Sequence, residues 1–434
     1  MAKQGLTLNK LNGCIRKDEQ WALCIGAGTS LPLLPSWNKL IDKLIEKLKL
    51  PEIKTNGFIK DGFSLDAIIQ AIKERADITD KGFLDTLSEI VYSPIKEQLS
   101  EKEIVAFNTV HDFSLGYASK NTKDREARWG LFCKFRDQVF GETTAYGMAK
   151  IMAQGFDKGI KPSAILTFNG EACFLALLNS FLFENHNNTI PEDFDRVVNI
   201  LSDRKSKNIP YYHCHGIIPN KISIYKEGFN ANEKLVFSED SYLQLANSNF
   251  SWQSSSFIST CIHNRVIFVG VSLTDSNMRR WLSWIHNAKM SEMELNALGV
   301  EDDENKDNGA VKKSIEEDNN KKKNKESTEH FWIKVKPQKD DWKKWYENPK
   351  SIQNWDEALV SIQKWYENLV SILGVRIIWI DEWSEVPKAM GIILGIIDPE
   401  KTNSNKAKKT NRKSIKSTHV KQKNKRTQKN HNEI

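Results

Sequence analysis

The residue types best able to do chemistry in this chain fall in four short segments. The first, Ile25-Gly26-Ala27-Gly28-Thr29-Ser30, follows the apolar run Trp21-Ala22-Leu23-Cys24. A buried strand ending in a glycine turn lets backbone N–H groups approach a pyrophosphate, with a helix N-terminus behind them. In that role Gly26, Ala27, Gly28 and Thr29 form the cradle and Ser30 adds a hydroxyl at the helix start. The same spacing also suits a tight turn in which Ser30 merely caps a helix. The second segment is Thr167-Phe168-Asn169-Gly170-Glu171. A carboxamide both donates and accepts, so Asn169 can fix a sugar hydroxyl and an attacking water together. Asparagine is equally at home in a turn before a helix, because it tolerates such backbone conformations.

His213-Cys214-His215-Gly216 brings two imidazoles, the groups that exchange protons near neutral pH. Two residues apart on an extended strand, they would share a face, so position alone does not separate a general base from a satisfied structural histidine. A His-x-His metal pair lacks any nearby carboxylate or cysteine spacing to complete it. In the fourth segment, Phe268 to Asp275, Gly270 permits close backbone approach and Ser272 can donate or accept. Asp275 can accept from sugar hydroxyls while also capping a helix that runs through Met278 and Trp281.

Each of these residues sits just beyond a short apolar segment that reads as a strand: Trp21–Ile25, Ala164–Phe168, Tyr211–Cys214 and Val266–Val269. Leu235-Val236-Phe237 reads as another, and Phe331–Val335 and Val375–Ile380 extend the set. In an open parallel sheet the carboxyl ends of the strands border one crevice, so motifs far apart in sequence can face one site. The expected fold is therefore α/β, a Rossmann-like, open, mostly parallel sheet flanked by helices. Apolar stripes at helical spacing (Leu40, Ile41, Leu44, Ile45; Ile68, Ile69, Ile72; Leu84, Leu87, Ile90, Val91; Met148, Ile151, Met152) predict helices from residue 37 to about 160. Residues 51–160 read as a helical module inserted between two strands and lying as a lid over the cleft. A further helix is predicted from Ala172 to Phe183.

Taken in order, with Pro35-Ser36-Trp37 after the glycine loop, the segments resemble the sirtuin-like family, in particular its bacterial branch of NAD-consuming defence proteins. That family's pattern runs Gly-Ala-Gly-x-Ser, Pro-x-Trp, Thr-x-Asn-x-Asp, His-Gly and Gly-x-Ser-x-x-Asp. The likeness extends from about residue 20 to 395 and departs at Glu171, which stands where the family has Asp. The resemblance implies that Asn169 and His215 are catalytic, singling out His215 over His213. It further implies that Gly26, Ala27, Gly28, Thr29, Ser30, Trp37, Gly270, Ser272 and Asp275 hold NAD+ as substrate. The implied activity is hydrolysis of NAD+ to nicotinamide and ADP-ribose in anti-phage defence. A homo-oligomer, or a partner such as a HerA-type translocase or a phage-sensing subunit, would hold that activity in check. A non-hydrolytic NAD or ADP-ribose scaffold is the alternative. Sirtuin deacylases carry a four-cysteine zinc module; the six cysteines here form no Cys-x-x-Cys pair, which points to the zinc-free branch.

Those cysteines (Cys14, Cys24, Cys133, Cys173, Cys214, Cys261) lie scattered, several in apolar runs, as expected of reduced thiols in a cytoplasmic protein. Neither a secretory signal nor a membrane-length apolar stretch is evident. One unit over residues 1–398 is expected, its core built from about 15–50, 161–298 and 330–395. Residues 299–329, running from Glu301-Asp302-Asp303-Glu304 to Lys321-Lys322-Lys323, read as a charged, disordered insertion. The tail, 399–434, is strongly basic; from Lys401 onward it holds twelve Lys or Arg against one Glu. Its charge exceeds the chain's net +7, so the body is slightly acidic, and the tail suits loose contact with nucleic acid. Lys344-Trp345-Tyr346-Glu347-Asn348 recurs as Lys364-Trp365-Tyr366-Glu367-Asn368, a duplication that reads as paired helices. Seven of the thirteen tryptophans fall within 332–383, which would favour a subunit interface if they are exposed.

Overall fold

The computed structural model describes residues 15, 19–51, 55–115, 124–197, 207–220, 235–247, 251–301, 330–339 and 354–398. Among the described residues seven strands form one sheet: β1 (Trp21–Ile25), β2 (Ala164–Thr167), β3 (Phe194–Val197), β4 (Ile209–His213), β5 (Arg265–Val269), β6 (His330–Val335) and β7 (Val375–Ile380). Their order is β3-β4-β2-β1-β5-β6-β7, and every neighbouring pair is parallel. Cys24 stands between Leu166 of β2 and Phe268 of β5. At β1 the strand order changes direction, the point where open α/β sheets bind ligands beyond their carboxyl ends.

Alternation along each strand divides the apolar residues between two cores. Leu23, Ile25, Ile165, Tyr211, Ile267 and Ile333 face one; Ala22, Cys24, Leu166, Tyr212, Phe268 and Trp332 face the other. Both faces are covered, which explains strands that are apolar throughout. Ten helices lie in the order α1 (Trp37–Lys47), α2 (Thr55–Lys60), α3 (Leu65–Arg75), α4 (Asp80–Lys96), α5 (Glu101–Ser114), α6 (Arg125–Phe140), α7 (Thr144–Asp157), α8 (Cys173–Asn185), α9 (Glu239–Asn247) and α10 (Trp252–His263). Then come α11 (Ser276–Glu301), α12 (Trp355–Ser371) and α13 (Val386–Ile393). The first core takes side chains from α1, α3 to α8 and α13, the second from α9 to α12.

The α/β architecture and its parallel sheet agree with the reading of the sequence. Four details differ. Leu235-Val236-Phe237 forms no strand: the Val236 N–H donates to the His215 carbonyl (2.9 Å) and the Phe237 N–H to Ser241 Oγ (3.2 Å), so neither joins a ladder. Phe194–Val197 is an additional strand at the edge, too short and too charged to announce itself. The helical module is more than a lid, since α5, α6 and α7 build the first core against the sheet while α3 and α4 border the crevice. Residues 299–301 complete the last turn of α11 rather than opening an insertion. The second copy of the repeat lies within α12 and exposes Trp365. The first copy, residues 302–329 and the basic tail lie outside the described residues. Among the described residues no helix is long and apolar enough to cross a membrane, and Cys24, Cys133, Cys173, Cys214 and Cys261 are free thiols.

Candidate functional site

The glycine loop leaves β1 as a 3-10 turn, Ala27–Ser30, packed directly on the turn after β5. The Gly26 N–H donates to the Val269 carbonyl (3.0 Å), the Gly28 N–H to the Gly270 carbonyl (3.1 Å) and the Thr29 N–H to the Gly26 carbonyl (3.0 Å). A Cβ on Gly26 would stand 2.5 Å from the Gly270 oxygen. Gly270 itself has φ +68°, and a Cβ there would meet the Thr29 nitrogen at 2.7 Å. Glycine is required at both positions for backbone-to-backbone packing. The amides predicted to cradle phosphate are, at 26, 28 and 29, already committed to protein carbonyls. Ser30 ends the turn and does not cap α1, whose N-cap position is Ser36.

Instead, Ser30 reaches the second segment. Its Oγ donates to Glu171 Oε1 at 2.5 Å, and the same oxygen accepts from Asn169 Nδ2 at 3.0 Å. Glu171 Oε2 accepts from the Cys173 N–H at 2.5 Å, fixing the first turn of α8. Asn169 Nδ2 also lies 3.5 Å from Thr29 Oγ1. Asn169 is only 3% exposed, its amide nitrogen is held on two sides, and its Oδ1 has no hydrogen-bond partner. Leaving such an acceptor buried and unpaired costs about 1–3 kcal/mol, as expected of an atom kept for a ligand. Asn169, Ser30, Ala27, Glu171 and Trp37 line one small cavity of about 50 Å³, closed on another side by Phe237. The Trp37 and Phe237 rings pack with centroids 4.5 Å apart. Phe237 also lines a cavity of about 570 Å³ between α3, α4 and α9, so the same residue borders both hollows.

His215 belongs to a neighbouring cluster. Strand geometry ends at His213, and the turn through Gly216 (φ +76°) swings the His215 ring against Phe168 (centroids 4.8 Å) and Tyr242 (5.2 Å). Its Nδ1 lies 3.3 Å from the Tyr242 hydroxyl and its Nε2 3.5 Å from Asp275 Oδ2. Burial acts to raise the Asp275 carboxyl, but the facing imidazole and the Met278 and Asn277 amides outweigh it and hold the group below the usual range. Those two amides donate to Oδ1 at 3.1 and 2.8 Å, so Asp275 caps α11 while pairing His215. Burial, reinforced by the Asp275 charge, pushes the Tyr242 phenol up and keeps it protonated.

The expectation that His213 and His215 share a face fails, because the chain leaves the strand between them. His213 stays fully buried beside Tyr211 (ring centroids 4.9 Å), with neither ring nitrogen hydrogen-bonded. It is not the satisfied structural histidine that the sequence allowed. Burial, then the nearby Arg196 and His111, lower its pKa well below the ordinary value, so it is neutral.

The inserted α4 fixes the chain that follows His215. Ser88, Tyr92 and Lys96, four residues apart on one helix face, donate to the carbonyls of Pro219 (2.5 Å), Ile218 (2.8 Å) and Asn220 (3.2 Å). Of the sequence-predicted residues, Ala27, Ser30, Trp37 and Asn169 thus share one cavity, and His215 and Asp275 pair beside it. Phe168 links the two, lining the cavity and touching the imidazole. Ser272 does not join them: it is exposed, with its Oγ 2.7 Å from Thr274 Oγ1. Tyr242 and Phe237 are the residues that sequence reasoning missed. Phe237 was read only as the last residue of an apolar strand, and Tyr242, inside α9, carried no motif that marked it.

The SIR2-like domain family model matches residues 165–352, from β2 to beyond β6. The match makes this part of the chain similar to SIR2-like domains. Its range contains Asn169, Glu171, His215 and Asp275; the glycine loop lies before it and is brought to the same site by packing on Gly270. No curated protein matches the chain.

Proposed function

We propose that the chain is an NAD+ glycohydrolase, converting NAD+ and water to nicotinamide, ADP-ribose and a proton. The observation that carries this reading is the Asn169 carboxamide, on a residue that lines the cavity, clamped through its nitrogen by Glu171 and Thr29 and with its oxygen left without a hydrogen-bond partner. Such an oxygen can accept a hydrogen bond from the attacking water. As the C1′–nitrogen bond breaks, its electron pair leaves on nicotinamide, which departs neutral. Water oxygen bonds to C1′, and its proton passes to His215, whose imidazole is oriented by Asp275 and Tyr242. Glu171 does the work of the shorter family carboxylate: it still holds Ser30, Asn169 and the Cys173 amide together.

In this reading the residues 1–398 form one sirtuin-like unit acting in the cytoplasm as an anti-phage effector, with no zinc. A homo-oligomer, a HerA-type translocase or a phage-sensing subunit releases the activity, and the basic tail makes weak contact with nucleic acid. The small inner cavity fits a resting enzyme, because roughly 300–1,000 Å³ is usual for a ligand pocket. It equally favours the second reading, a scaffold that binds NAD or ADP-ribose without cleaving it. Turnover of a fluorogenic etheno-NAD analogue decides between them. Hydrolysis by the wild type that is lost in Asn169→Ala and His215→Ala supports the enzyme. Tight nucleotide binding with no turnover, even with the genomic neighbour supplied, supports the scaffold.

A further inference from the structure

One short stretch of chain, from Leu235 to Leu245, touches both clusters at the carboxyl edge of the sheet. Phe237 lines the cavity of about 50 Å³ together with Asn169, and its ring packs on Trp37. Tyr242, in the first turn of α9, packs on His215. Ser241 ties these two residues together. Its Oγ accepts from the Phe237 and Ser238 amides at 3.2 and 3.1 Å and donates to the Ser238 carbonyl at 2.8 Å. The Tyr242 amide donates to that same carbonyl at 3.1 Å. Phe237 and Tyr242 thus belong to a single hydrogen-bonded turn.

At His215 the contact decides what the imidazole can do. Asp275 Oδ2 lies 3.5 Å from Nε2; against its burial, the imidazole and two backbone amides hold this carboxyl below its usual range, so it is an anion. An anion at that distance draws the ring N–H to Nε2 and leaves the lone pair on Nδ1. Nδ1 in turn faces the Tyr242 hydroxyl at 3.3 Å. Burial first, then the charges of Asp275 and Asp66, push that phenol up, so it keeps a proton to donate. Both nitrogens of the neutral ring are then taken. A general base must offer a lone pair, so Tyr242 has to withdraw before His215 can accept a proton.

Little anchors the stretch on its other side. Of the α9 side chains described, Leu245 alone is buried, and Leu243 is 53% exposed. Phe237, Ser241 and Gln244 border the cavity of about 570 Å³ together with Gln70 and Lys73 of α3. A helix with few buried contacts and a hollow beside it opens at low free-energy cost. We propose that residues 235–245 are an autoinhibitory latch that closes the site at two points together, Phe237 at the cavity beside Asn169 and Tyr242 on the His215 lone pair. The inhibitory role rests on the hydrolysis proposed above; the coupling of the two points does not. One displacement of the segment towards the outer hollow enlarges the inner cavity and frees Nδ1. Asp275 stays behind to hold Nε2, since its Oδ1 is fixed by the Asn277 and Met278 amides.

Diethyl pyrocarbonate acylates an accessible imidazole lone pair, so its reaction with the full chain reads the latch without any appeal to turnover. Mass spectrometry with fragmentation compares His215 with the exposed His263 of the same sample. In the wild type His215 should react roughly tenfold or more slowly than His263, and Tyr242→Ala should raise its rate by roughly tenfold. Ser241→Ala alters only bonds inside the segment, and Phe237→Ala acts at the cavity. Each should raise the His215 rate roughly threefold or more, the scale of losing one net hydrogen bond. Ser241→Ala keeps the test valid should Phe237→Ala fold poorly. Wild-type His215 as reactive as His263, or a rate unmoved by Tyr242→Ala, would overturn the contact. A rate unmoved by both Ser241→Ala and Phe237→Ala would overturn the coupling. Etheno-NAD turnover should rise in Ser241→Ala by the same factor as the His215 rate. Measurable turnover no faster than wild type, with His215 more reactive, would overturn the inhibitory role. No turnover in any form, with the reactivity pattern intact, would refute the hydrolysis and support the coupled latch alone.

Discussion

Two clusters stand side by side at the carboxyl edge of the sheet, and they are built on opposite principles. Around Asn169 the protein uses short contacts among Ser30, Glu171 and the Cys173 amide to immobilise one carboxamide, with an acceptor left over. Around His215 the contacts are longer, 3.3 Å to Tyr242 and 3.5 Å to Asp275, and aromatic edges supply much of the packing. A group that must point in one direction is locked; a group that must gain and lose a proton is given an anion and some room. Under the proposed hydrolysis Asn169 positions and His215 exchanges protons, and this division can be broken at either end.

The largest effect is expected at the locked end. Asn169→Ala should lower etheno-NAD turnover by about 100-fold or more, the scale seen when one preorganised polar group is removed, with little change in melting temperature because an unpaired buried acceptor goes with it. Phe237→Ala should act oppositely. Removing the ring that borders both hollows should join them and raise kcat/KM on the order of tenfold, a gain of about 1.4 kcal/mol in transition-state stabilisation. A variant that turns over no faster would show that Phe237 is not the barrier. Glu171→Gln keeps the shape but leaves one oxygen to serve Ser30, Asn169 and Cys173. A roughly tenfold fall in kcat with KM nearly constant is expected, of the kind that marks an interaction made in the transition state.

The smallest effect concerns stability. His330 is buried, and that burial, with the charges of Lys289, Arg265 and His286, lowers its pKa to about 3. Its Nδ1 accepts the Val266 N–H at 3.2 Å, which requires the neutral ring. Unfolded histidine titrates near ~6.5, so between that pH and about 3 the unfolded state binds the extra proton. This residue's contribution is fully present above ~6.5 and drains away as pH falls towards 3. Urea titrations of wild type and His330→Gln should diverge at neutral pH and converge at acid pH; parallel curves would exclude the assignment.

Much of the fold was legible because the strands are short and apolar on both faces: Trp21–Ile25 and Val375–Ile380 have the boundaries their composition implies. Leu235–Phe237 has the same composition and no ladder, since the Val236 amide is spent on the His215 carbonyl and the Phe237 amide on Ser241. Strand character there was a property of burial, not of pairing. At the site, asparagine and histidine stood out as chemistry at strand ends, and the Asp275 cap followed from its place before a helix. The glycines were read for a phosphate, whereas in this structure they let two backbones touch. Nothing in the sequence could show that Glu171 binds Ser30 across 141 residues, or that Tyr242 and Asp275 flank one imidazole.

Whether the two clusters serve one bond is best decided by a double-mutant cycle on etheno-NAD hydrolysis with Asn169→Ala, His215→Ala and the pair. Groups acting on the same step lose almost everything when either is removed, so the double variant should be no more than a few-fold slower than the worse single one. Full multiplication of the two losses, or turnover that survives His215→Ala, would contradict the account.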